Sequence, residues 1–112
     1  MKLPKAEQAV VAREKLENYL LSRTHPVGRF KAEFFSALGY TRNDWRALEM
    51  SIRWLLSAEA REREQTVYGK KYEVAGVIAG PNGRSARIVT VWIVRRNEDF
   101  PRFITAYPGE PE

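Results

Sequence analysis

Apolar positions change their spacing halfway along the chain. In the first half Leu16, Tyr19 and Leu20 recur at i, i+3 and i+4, which predicts an amphipathic helix near residues 12–22. Ser22-Arg23-Thr24-His25-Pro26 interrupts it, because the residue before a proline is pushed out of the α region. A second helix is predicted near 27–38, with Gly39 as its stop. Thr41 and Asp44 have the outline of a capping box, and Trp45, Leu48, Ile52, Leu55 and Leu56 carry a third helix to about residue 60. Its tail, Ala58 to Gln65, alternates charges and reads as a solvated continuation.

The second half alternates with a period of two. Lys70 to Ala79 places Tyr72, Val74 and Ile78 on one face, and Gly80-Pro81-Asn82-Gly83 supplies a hairpin turn. Ala86 to Val94 is apolar on both faces, as a central strand is. Arg96-Asn97-Glu98-Asp99 forms a second turn, and Phe100 to Pro108 a third strand. Helices followed by a meander predict an α+β domain, an antiparallel sheet with helices packed on one face. The whole of 1–112 reads as one domain, helical over 5–64 and sheet-forming over 66–108. Trp45, Trp54 and Trp92 fall at core spacings.

Composition narrows the chemistry. Hydrophobic residues make up 44% of 112, enough for a core and too many for a disordered chain. Cysteine is absent and histidine occurs once, which excludes disulfides, a cysteine nucleophile and a multi-histidine metal site. No metal or other cofactor is expected. No apolar run approaches the roughly 20 residues of a membrane span, and no signal-peptide pattern follows Met1, so a cytoplasmic location is expected. The excess of 19 Lys and Arg over 14 Asp and Glu raises the prospect of a polyanionic partner. Much of that excess reads as solvated charge along strand edges, at Lys70-Lys71, Arg84, Arg87 and Arg95-Arg96.

Three places combine chemistry with position. On a helical wheel of 27–38, Lys31 falls inside the apolar arc of Val27, Phe34, Phe35 and Leu38. A lysine there either aims its ammonium at an anion in a cleft, or packs its stem and finds water or a glutamate. His25 precedes the same helix, where unpaired N–H groups favour anions and an imidazole suits proton transfer; a simple cap or solvent-facing loop is the plainer role. In the last strand, Thr105 and Tyr107 share a face with Phe103 and bring two hydroxyls together, as ordinary β-formers also do. Arg102 has the opposite parity and joins them only if the strand twists or bulges near its start.

The segment His25-Pro26-Val27-Gly28-Arg29-Phe30-Lys31-Ala32-Glu33-Phe34-Phe35, with the closing Arg102-Phe103-Ile104-Thr105-Ala106-Tyr107-Pro108, resembles a small bacterial family, domain of unknown function 6883. The opening Leu3-Pro4, Ala9-Val10-Val11, Lys15-Leu16 and Tyr19-Leu20-Leu21 resemble it too, so the likeness spans nearly the whole chain. More remotely, the layout resembles metal-independent endoribonuclease toxins of the barnase, EndoU, colicin and RelE kind. That likeness implies a four-stranded antiparallel sheet; the fourth strand would come from Thr66 to Tyr68 or Ala9 to Val11. It also implies a site of His25, Lys31, Arg102, Thr105 and Tyr107. The implied reaction is attack of the RNA 2′-hydroxyl on its own phosphate. His25 would be general base or acid, Lys31 and Arg102 would balance charge, and Thr105 and Tyr107 would hold the phosphate. The implied partners are RNA and an acidic antitoxin or immunity protein. The alternative is a non-catalytic RNA- or protein-binding module on the same scaffold.

Overall fold

The computed structural model describes residues 1–110. A short 3-10 turn, Ala6–Gln8, leads to α1, Arg13–Lys15, which widens into a π-helical turn over Leu16–Leu20. Helices α2, Arg29–Ala37, and α3, Trp45–Trp54, follow, and α3 ends in a 3-10 turn at Leu55–Ser57. The strands are β1, Ala60–Thr66; β2, Gly69–Ala79; β3, Ser85–Arg95; and β4, Pro101–Pro108. They form one antiparallel sheet in the order β1-β2-β3-β4. This is the α+β meander that the hydrophobic pattern predicts.

The fourth strand lies elsewhere than expected. Ala60–Thr66 is β1, not a solvated helix tail. Its alternating charges are an edge strand's cross-strand partners: Glu62 pairs with Lys70 at 2.8 Å, Glu64 with Lys71 at 3.7 Å and Arg61 with Glu73 at 4.0 Å. A run of Arg and Glu fits a solvated helix or a charged sheet edge equally well, so its spacing alone does not decide. Thr66 ends β1, and Val67 and Tyr68 belong to the turn after it. Val10 forms a single parallel bridge with Arg102 at the opposite edge. There the Val10 N–H donates to the Pro101 carbonyl and the Phe103 N–H donates to that of Val10, each at 2.9 Å.

The core lies between one sheet face and the helices. Tyr72, Val74, Ile78, Ile88, Trp92, Phe103 and Ala106 meet Leu16, Leu20, Phe35, Leu38, Leu48 and Ile52. Gly39 closes α2 in the left-handed region, with φ of 95°. Trp92 is fully buried, whereas Trp54 is 77% exposed, so the core spacing read for Trp54 is overturned. It follows Ile52 by two positions, and the face that buries Leu48 and Ile52 turns it outward. The buried side of α2 is set by Ala32 and Phe35; Val27, expected in the apolar arc, is 57% exposed.

A bulge decides which face each β4 side chain takes. Trp92 pairs with Phe103 but Val91 pairs with Thr105, so Ile104 is the extra residue. Phe103 and Ala106 therefore both face the core, and Thr105, just past the extra residue, turns to meet Tyr19 and Lys31. The expected alternation of Phe103 with Thr105 fails at this residue.

One buried polar link sits inside the core. Thr90 Oγ1 donates to the Val74 carbonyl at 2.7 Å and accepts the Trp92 indole N–H at 2.9 Å. Replacing Thr90 with valine leaves that indole N–H unpartnered, so T90V should lower stability by about 1–3 kcal/mol. T90S should retain most of it. Chemical denaturation of both variants checks the difference.

Candidate functional site

Three elements meet at the free edge of β4. The bridge at Val10 lays the N-terminal segment along that edge, and the chain then enters α1. The π turn closes on an i to i+5 hydrogen bond, the Leu21 N–H donating to the Leu16 carbonyl at 2.9 Å. It sinks Leu16 and Leu20 into the core and presents Tyr19 at its margin beside Thr105.

The segment from His25 to Lys31 has a local logic. His25 Nδ1 accepts the Val27 N–H at 3.0 Å and the Gly28 N–H at 2.9 Å, so the imidazole caps the entrance to α2. Pro26 suits this turn, since its missing N–H would have no helical partner. Gly28 lies against the π turn: a Cβ there would stand 2.0 Å from the Tyr19 carbonyl oxygen. That approach brings Lys31 within reach of the β4 edge.

Lys31 is the centre of the group. Its Nζ donates to the Tyr19 hydroxyl at 2.8 Å and to Thr105 Oγ1 at 2.9 Å, and those two oxygens lie 3.0 Å apart. The ammonium also stands 5.1 Å from the Tyr19 ring centroid. No carboxylate pairs with Lys31 among the described residues. The His25 ring meets the Tyr19 ring edge-on, with centroids 5.0 Å apart. Tyr19, His25 and Thr105 line an open pocket of about 620 Å³, together with Glu14, Lys15 and Val27. Lys31 sits behind two of those lining residues.

Burial alone pushes the Tyr19 phenol up, but the Lys31 and Thr105 hydrogen bonds and the charges of Lys31 and Lys15 outweigh it. The balance lies below the ordinary tyrosine value of 10.0. At His25 the hydrogen bonds fix a tautomer. With Nδ1 accepting two N–H groups, the ring hydrogen is on Nε2. His25 is then a donor toward the pocket, and its proton-accepting nitrogen is occupied.

Of the five expected residues, the fold brings His25, Lys31 and Thr105 together. The bulge does turn Arg102 onto the face of Thr105, but its guanidinium is held by Glu98 in two 2.8 Å hydrogen bonds and lies over Phe100. Tyr107 is two residues beyond Thr105, paired with Val89, and makes no hydrogen bond to His25, Lys31 or Thr105. Tyr19 and Lys15 were not singled out from the sequence. The signal for Tyr19 was available: a tyrosine in an apolar stripe needs a partner for its hydroxyl.

The contact at Gly28 is testable. G28A must push α2 away from the π turn, so thermal unfolding should fall by several degrees. The Tyr19 resonances in a heteronuclear NMR spectrum should shift, with β2 and β3 unchanged.

Among the solved structures that this chain resembles, one is similar over nearly the full length. It is a chain of a contact-dependent growth inhibition toxin–immunity protein complex from Klebsiella pneumoniae 342. The TM-score is 0.69 at 19% identity, covering 95% of this chain and 97% of that one. At that identity the likeness concerns the fold. No curated protein matches the sequence. The family model described as domain of unknown function (DUF6883) matches residues 2–110, and the chain belongs to that family.

Proposed function

We propose that this domain is a metal-independent endoribonuclease of the toxin type. The observation that carries the reading is the three-way hydrogen bond of Lys31 with Tyr19 and Thr105 at a pocket that His25 and Lys15 also reach. A lysine with no carboxylate partner among the described residues, backed against two hydroxyls, gives that pocket a positive field suited to a phosphate. The structural neighbour comes from a toxin–immunity protein complex, and its fold supports the same direction.

RNA carries its own nucleophile, so the protein's tasks are few. It must orient the phosphate, take a proton from the 2′-hydroxyl and stabilise the charge that grows on phosphorus. Lys15 and the His25 Nε2–H would donate to phosphate oxygens, and Lys31 would add charge from behind. Thr105 holds Lys31 and Tyr19 in register. Arg102 and Tyr107 serve outside this group, Arg102 as the partner of Glu98. An immunity protein with an acidic surface is the partner that this basic pocket would accept. A non-catalytic module on the same scaffold would bind RNA without cutting it.

The test is incubation with RNA oligonucleotides in EDTA. Wild type should cleave them to 2′,3′-cyclic phosphate and 5′-hydroxyl ends and leave DNA intact. His25→Asn keeps a side-chain acceptor for the α2 entrance but removes the Nε2–H, so it should fold normally and lose about 10²–10³-fold in rate. Binding without cleavage by wild type would establish the non-catalytic alternative instead.

A further inference from the structure

We propose that Tyr19 takes the proton from the RNA 2′-hydroxyl, with Lys31 and Thr105 as positioning residues that hold its oxygen at the pocket. This rests on the endoribonuclease reading and assigns the proton acceptor that His25, with Nδ1 already occupied, leaves open.

Geometry selects Tyr19. Its hydroxyl lies where the π turn, α2 and β4 converge, and the residue lines the pocket. Lys31 Nζ can only donate, so the phenol oxygen is an acceptor in its shortest contact, 2.8 Å. Thr105 Oγ1 can complete the pattern by donating across 3.0 Å. Two donors converging on one phenol oxygen is the arrangement that favours its anion.

The two lysines beside Tyr19 act in the same sense. Lys15, on the same helical segment, has its ammonium 5.9 Å from the Tyr19 ring centroid. Lys31 approaches from α2, and His25 from the loop between them. Among the described residues, β4 contributes Thr105 and Ile104 to the pocket, neither of them charged, and Glu14 is its one lining acid and the competing acceptor. The phenol's position below its ordinary value brings it toward the range where a general base works best.

The step balances simply. The 2′-hydroxyl O–H bond breaks and its proton passes to the Tyr19 phenolate oxygen. The 2′-oxygen forms a bond to phosphorus while the bond from phosphorus to the 5′-oxygen breaks. The departing oxygen takes a proton from water, and the resulting hydroxide recovers the proton from Tyr19. Nothing is oxidised or reduced.

The experiment is the dependence of kcat on pH for an oligoribonucleotide in EDTA. For wild type the rate should rise with pH as Tyr19 ionises. Tyr19→Phe keeps the ring against His25 and should stay folded at the assay temperature, but it should lose about 10²–10⁴-fold in kcat together with that rising limb. Lys31→Met should move the limb to higher pH, and Thr105→Val should move it less in the same direction. A Y19F protein that retains the wild-type limb overturns the assignment while leaving the ribonuclease reading intact. Loss of the limb in Glu14→Gln rather than in Y19F does the same and names Glu14 as the acceptor. A wild type that cuts no RNA overturns both.

Discussion

A lysine at the margin of an apolar core is tolerable only if its ammonium meets oxygen atoms. In this fold the requirement falls on Lys31, and two other elements supply the oxygens: Tyr19 from the π turn and Thr105 from β4. Much of the first half of the chain serves that meeting. Val10 ties the N-terminal segment to β4, Gly28 lets α2 approach the π turn, and His25 fixes where α2 begins. If Tyr19 or Thr105 were apolar, Lys31 would lose a partner and α2 would have less reason to hold its angle.

Charge elsewhere on the molecule is distributed differently. Lys70 and Lys71 balance glutamates of β1, and Arg102 balances Glu98. The lysine pairs of β1 and β2 are solvated and contribute little individually to stability, whereas the two-bond Arg102–Glu98 pair is half-buried. Lys15 and Lys31, both beside Tyr19, form no ion pair among the described residues. The net charge of +5 is therefore a poor guide to where positive potential acts, and the local pairing is a better one.

Periodicity made most of the fold legible. The helical stripe of Trp45, Leu48 and Ile52 and the apolar run of β3 each admit one reading, and both elements form where expected. β1 was hidden because its information is cross-strand charge pairing, which requires knowing the partner strand. The site was half legible. His25 and Lys31 stand out because each sits oddly for its neighbours, and Thr105 because of its strand. Tyr19 fitted a core stripe so well that its hydroxyl drew no attention. The faces of β4 turned on the bulge at Ile104, which no alternation pattern announces.

The π turn at Leu16–Leu20 carries one more residue than the α-helical path it replaces. A turn of this kind can be undone by a single-residue deletion, after which the helix relaxes and the following side chains rotate by about 100°. Tyr19 would then swing away from Lys31 while the sheet stayed as it is. The cluster around Lys31 is thus separable from the sheet that supports it by the smallest possible change in length.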